Sequence, residues 1–149
     1  MIALVCDHAL NGTDLRGLLH ADLDLPRERL VVRRRGRRHV IYLDELTYQC
    51  ASECAKERHR RWPATRNPHL LINRWTAADV RPTVSLDAIG KVFKRAGLSM
   101  QTLRQDRILH EAFETEDPIR LIRLFGINDT TAMRNIKAAH PERTAHLPR

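Results

Sequence analysis

What this sequence has little of narrows it first. Its 149 residues hold three cysteines, Cys6, Cys50 and Cys54, too few for a disulfide framework. Cys50 and Cys54 lie four apart, on one face of an expected helix with His59 nearby, but the two-residue cysteine spacing typical of zinc sites is missing. Buried small hydrophobes are the better reading, and the spacing points to neither a metal nor a cofactor. Apolar runs are only a few residues long, far short of the roughly 20 needed to cross a bilayer. Met1 to Cys6 is apolar, yet Asp7 ends the run and no basic stretch precedes it, so it does not read as a signal peptide. The expectation is a cytoplasmic chain with reduced thiols and no membrane partner. Acid is scarce beside base: 18 Asp and Glu stand against 26 Lys and Arg, a formal charge of +8. Such an excess favours a polyanionic partner, nucleic acid first and an anionic membrane surface second. There is no internal repeat and no low-complexity tract.

What is present is a helical pattern interrupted once. At 42% apolar residues the chain has enough to build a core, and its length suits one domain. Met1 to Ala9 reads as an apolar helix without a preceding cap. Asn11-Gly12 is a break, Thr13 a cap for a helix to about His20, and Asp22 to Arg29 a loop containing Pro26. Leu30-Val31-Val32 and Val40-Ile41-Tyr42-Leu43 then flank a run of arginines, with Gly36 to supply a turn. This is a β-hairpin with a basic tip. Seven arginines fall between Arg27 and Arg38, against Glu28 alone. Asp44 caps a long helix to about Trp62, which Pro63 stops. His69 to Asn73 reads as a strand or extended segment, and Arg74 to Thr83 as a loop. Ser85 caps a helix ended by Gly97, and Ser99 caps another to about Glu114. In Asp117 to Ile136, Pro118 opens a helix whose apolar stripe is Ile119, Ile122 and Phe125. Gly126 reverses the chain, and Asp129 or Thr130 caps the next helix. Residues 140–149 read as a polar tail. The expected fold class is α+β, dominated by helix, with one basic hairpin near the front.

The order of these pieces resembles the C-terminal catalytic domain of tyrosine recombinases, the phage integrases. Leu10 to Leu25, LNGTDLRGLLHADLDL, resembles the family's Gly-Leu-Arg, two residues, Glu-Leu, Leu, Asp-Leu pattern ahead of its hairpin. Ser99 to Arg104, SMQTLR, resembles its Ser-Pro-His-x-Leu-Arg box. Leu121 to Gly126 resembles the approach to Leu-Gly-His, and Asp129 to Ile136 the Thr-Thr-x-x-Tyr end. The resemblance covers nearly the whole chain. It implies that residues 1–139 form one integrase-like catalytic domain without the family's N-terminal core-binding domain.

Matched residue by residue, the chain departs from the family at most catalytic positions. The first catalytic arginine falls on Asn11, and the hairpin lysine on Arg35 or a neighbour. The box histidine falls on Gln101, and the Leu-Gly-His histidine on Ile127. The nucleophilic tyrosine falls on Arg134 or Asn135; the two tyrosines present, Tyr42 and Tyr48, lie far from it. Arg104 alone retains the family residue. Covalent strand transfer needs the nucleophile itself and arginines to neutralise the phosphoryl group. The resemblance therefore implies a pseudoenzyme-like relative: a DNA-binding domain related to recombination and integration, unable to cleave strands, with Arg104 vestigial. The expected DNA contacts are Arg33, Arg34, Arg35, Arg37, Arg38, Gln101, Arg104 and Arg134. Two alternatives stand beside it: a helix-turn-helix regulator reading the major groove with residues 130–136, and a fragment of an active site-specific integrase. Self-association or pairing with integrase-like partner chains is left open. His8, His20, His59, His69 and His110 are scattered and read as surface or hydrogen-bonded histidines.

Overall fold

The computed structural model describes residues 1–34 and 36–143; Arg35 and the end of the tail lie outside the described residues. Seven helices and one small sheet are built among them. Helix α1 spans Ile2–His8, α2 Gly12–Arg16, α3 Glu45–Arg61, α4 Leu86–Arg95, α5 Met100–Glu114, α6 Pro118–Phe125 and α7 Asp129–Ala139. Strands β1 (Leu23–Asp24), β2 (Arg29–Arg34) and β3 (Arg37–Tyr42) form an antiparallel sheet in chain order. Short 3-10 turns cover His20–Asp22, Leu25–Arg27 and Pro141–Arg143.

Local chemistry explains most of these boundaries. Asp44, Ser85, Ser99 and Asp117 each accept a backbone N–H in the first turn of α3, α4, α5 and α6, as expected of short polar caps. Gly97 and Gly126 take positive φ, 69° and 59°, where a side chain would be strained. Elsewhere the expectations need correcting. Asn11, not Thr13, caps α2: its Oδ1 accepts from Asp14 N at 2.8 Å, and Asp14 Oδ2 accepts from Asn11 N at 3.0 Å. That reciprocal pair starts the helix earlier, and it ends by Gly17 instead of running to His20. Asn128, not Asp129 or Thr130, caps α7 by accepting from Thr131 N at 2.7 Å. Part of the loop after Asp22 pairs as β1 with β2, Leu23 opposite Leu30. His69 to Asn73 makes no strand; it is tied to the chain near Leu19 by one isolated bridge.

Packing gathers around two apolar clusters. The first joins α1, α2, the sheet, α3 and α4, with Leu10, Leu15, Leu18, Leu30, Val32, Ile89 and Phe93 fully enclosed. The second joins α5, α6 and α7 through Ile108, Ala112, Leu121, Phe125, Ala132 and Ile136. Ala9, at the end of α1, belongs to this second cluster and takes a left-handed φ of 51°. His8, just before it, departs from the sequence expectation: its Nε2 is buried without a hydrogen-bond partner.

Candidate nucleic-acid interface

Strand alternation decides where the hairpin arginines go. Successive side chains point to opposite faces, so Arg34 shares a face with Leu30 and Val32, which enter the core. Arg34 therefore points inward. Its Nη2 donates to Asp14 Oδ2 at 2.9 Å and its Nη1 to the Phe125 carbonyl at the C-terminal end of α6. Both partners of the Arg34–Asp14 pair are largely enclosed, at 12% and 6% side-chain exposure. Arg33, on the other face, grips Asp22 with two bonds, Nε to Oδ2 at 2.9 Å and Nη2 to Oδ1 at 2.8 Å, while staying half exposed. On the hairpin's other strand, β3, His39 Nε2 lies 2.9 Å from the Leu124 carbonyl. The hairpin is thereby latched to the end of α6 at two successive carbonyls.

Gly126 makes that latch sterically feasible. A Cβ at this position would come within 2.5 Å of Arg34 Nη1 and 2.9 Å of its Cδ. The glycine serves both the left-handed turn and the passage of the guanidinium.

Arg104 on α5 comes from the opposite side and donates from Nε to the Ala9 carbonyl at 2.9 Å, covering the open C-terminus of α1. Burial pulls its guanidinium below the usual arginine range; the neighbouring charge of Arg34 adds to this and Asp14 opposes it. It remains a cation at neutral pH.

These residues line one cleft of about 440 Å³. Asn11 caps α2 and Thr13 and Asp14 lie on it, Arg33 and Arg34 come from the hairpin, and Arg104 from α5. The α6–α7 turn supplies Gly126 and Asn128, and α7 supplies Thr131 and Arg134. Four of the expected arginines thus converge across great distances in the chain. Arg37, Arg38 and Gln101 are exposed but do not line the cleft, and Arg35 lies outside the described residues. Sequence reasoning missed Asp14, Asn128 and Thr131; the Asn-x-x-Asp spacing of a capping box was the available signal for the first.

The cleft has the charge to hold an anion and little else. Ile127 is buried in the second apolar cluster, where it neither donates nor accepts a proton. Asn135 turns inward on its own helix, donating from Nδ2 to the Thr131 carbonyl at 2.8 Å. Arg134 is exposed on the cleft wall. Tyr42 and Tyr48 are not among the cleft residues; Tyr42 borders a separate hollow with Asp7, His8 and Asp44. The cleft's hydroxyls are those of Thr13 and Thr131, and its carboxylate, Asp14, is committed to Arg34 and the Asn11 N–H.

The arrangement has clear counterparts among solved structures. The XerA recombinase superposes with a TM-score of 0.74 over 99% of this chain, at 16% identity. The XerH site-specific recombinase, solved on its difH substrate in a pre-cleavage complex, gives 0.73 over 98% at 17% identity. The chain has the fold of these recombinases. The Tn1549 transposon integrase, solved with transposon right-end DNA, gives 0.63 over 97% at 17% identity. The chain spans 57%, 44% and 58% of the lengths of these three proteins. Neither a protein-family model nor a curated protein matches its sequence. The resemblance read from scattered motifs is therefore a resemblance of the recombinase fold along nearly the whole chain. No described helix is long and apolar enough to cross a membrane.

Proposed function

We propose that this chain is a DNA-binding domain of recombinase fold, concerned with recombination or integration, that holds the phosphate backbone without cutting it. Residues 1–139 form that unit. The observation that carries the reading is the convergence of Arg33, Arg34, Arg104 and Arg134 on one cleft in this fold. Arg104 and Arg34 are already engaged with Ala9, Phe125 and Asp14, so their role is to hold the cleft's shape and positive field. Arg134 on the wall, and Arg37 and Arg38 at the hairpin tip, are exposed and meet no acidic partner among the described residues. They are the side chains able to meet phosphates directly. Arg33, half exposed on the cleft wall, adds its charge at the base of the hairpin, and Gln101 on α5 offers a neutral hydrogen-bonding group.

Contacts of this kind confer affinity without much sequence preference and weaken with salt. A mobility-shift titration with duplex DNA at low and moderate salt tests this. Replacing Arg37 and Arg38 together with alanine is expected to weaken all duplexes alike and to flatten the salt dependence by roughly two units of slope. No binding at low salt would overturn the DNA reading. For the chemistry, supercoiled DNA should remain unnicked and no covalent adduct should form. An adduct that disappears in Tyr42→Phe or Tyr48→Phe would overturn the non-cleaving reading.

A further inference from the structure

Residues 62–85 join α3 to α4 without a helix or strand, well beyond the length of ordinary loops, which rarely exceed about 15 residues unless they serve a function. The segment is nevertheless firmly built. Asn67, only 2% exposed, donates from Nδ2 to the carbonyls of Thr76 and Pro82 at 2.8 and 2.9 Å. Its Oδ1 accepts from His69 N at 3.0 Å. Thr65 Oγ1 reaches across to the Ala77 carbonyl at 2.7 Å, and Arg58 of α3 holds the carbonyls of Asn67 and His69 from below.

This scaffold displays an unusual surface. Trp75, one of two tryptophans in the chain, is 74% exposed, whereas large aromatics are ordinarily covered. The Arg74 guanidinium lies 4.5 Å from the centre of its ring. Arg74 also lines, with Arg66 and Trp62, a second cleft of about 590 Å³ with the buried Ala77 as its floor and Ala64 and Val80 on its exposed apolar walls. Among the described residues neither Arg66 nor Arg74 has an acidic partner, unlike Arg60 and Arg61 of α3, which share Glu57. The one carboxylate of the loop, Asp79, accepts from the backbone N–H groups of Val80 and Arg81. An open indole, a guanidinium stacked on it and a second unpaired arginine beside an apolar floor match a planar base bearing a phosphate. Bases expose their faces only when unpaired, and sequence-tolerant stacking on aromatics is the usual way such strands are held.

We propose that the 62–85 loop is a second nucleic-acid contact, which takes an unpaired nucleotide by stacking its base on Trp75 and holding its phosphate between Arg66 and Arg74. The proposal rests on the nucleic-acid reading above for its class of partner, but on different residues. The ordered loop presents these groups without a folding cost on binding.

The test uses the whole chain and an oligothymidylate of about ten nucleotides, within the range one such platform spans. Tryptophan emission of the wild-type chain should be quenched on titration, and the difference between wild type and a Trp75→Phe variant isolates the part that comes from Trp75. Trp75→Ala, and Arg66→Ala with Arg74→Ala, should each weaken the labelled oligothymidylate about tenfold. Affinity for a duplex of equal length should stay unchanged. Quenching should survive the Arg37→Ala, Arg38→Ala change, whereas duplex binding should weaken, so the two surfaces fail separately. Three results overturn the proposal: no quenching at saturation, equal weakening of duplex and single strand by Trp75→Ala, or equal quenching by polyglutamate, which would make the loop a general anion patch.

Discussion

Replacing Arg34 with alanine should damage the fold far more than replacing any exposed arginine of the hairpin tip. The side chain holds two groups at once, the enclosed Asp14 carboxylate and the last-turn carbonyl of α6 at Phe125. Removing it strands a carboxylate whose side chain is only 6% exposed. Breaking a buried pair from one side typically costs about 3–5 kcal/mol, because the remaining charge stays buried; here Asp14 Oδ2 keeps the bond from the Asn11 N–H, which places this case toward the lower end. Losing the donor to the Phe125 carbonyl adds about 1 kcal/mol. Against a total stability of about 5–15 kcal/mol, this is a large share. With a urea dependence of about 1–3 kcal/mol/M, the unfolding midpoint should fall by more than 1 M. The double change Arg34→Met, Asp14→Leu removes both charges and should recover the loss apart from about 1 kcal/mol for the lost cap bond to Asn11 N, whereas Arg37→Ala, with nothing to strand, should shift stability by less than about 0.5 kcal/mol. Urea titrations of wild type, Arg34→Met, Asp14→Leu and the double variant, followed by circular dichroism, close a cycle that gives the coupling energy directly. A midpoint for Arg34→Ala within error of wild type, or a coupling near zero, would refute the argument that the hairpin is latched by a buried ion pair.

Two glycines should respond oppositely to alanine. Gly126→Ala forces a Cβ against Arg34 at a φ of 59° and should cost about 1–3 kcal/mol, while Gly90, inside α4 with open space around it, should gain about 0.5–1 kcal/mol on the same change. Thermal unfolding of both variants checks this, and equal shifts would refute it. Burial, more than its charged neighbours, holds the His8 imidazole below the ordinary histidine range, and burial acts likewise on His20 and His69. The unfolded chain therefore takes up protons first as pH falls through about 6.5, so stability is full above that value and declines below it. His8→Leu should flatten this acid slope and, by removing the orphaned Nε2, raise stability near neutral pH by about 1 kcal/mol. An unchanged slope in urea titrations between pH 5 and 7 would refute the assignment.

The helix ends were legible in the sequence wherever one short polar residue meets the next turn: Asp44, Ser85 and Ser99 act within three residues of themselves, and Pro118 marks the start of α6. They were misread where two such residues compete, as at Asn11 with Thr13 and at Asn128 with Asp129 and Thr130. There the choice depends on which oxygen the backbone direction brings into line. The hairpin was legible because apolar residues flank a glycine turn. The extra strand β1 was not, because Leu23-Asp24 is too short to show alternation and pairs only because β2 is already in place.

Charge, helix content and the basic hairpin followed from residue order alone, since each is composition or local periodicity; the departures at the family's histidine and tyrosine positions were read only through the resemblance to recombinases. What the arginines do was decided only by the folded chain. Arg34 and Arg33 are neighbours with the same chemistry, yet one is enclosed against Asp14 and the other half exposed on Asp22. Arg104 reaches a carbonyl 95 residues away, and Arg34 one 91 residues away. The 62–85 segment reads in one dimension as an extended stretch over His69 to Asn73 followed by loop, because its order comes from Asn67 and Thr65 reaching across it. Such contacts depend on which faces two packed clusters turn toward each other, and linear spacing carries no record of that.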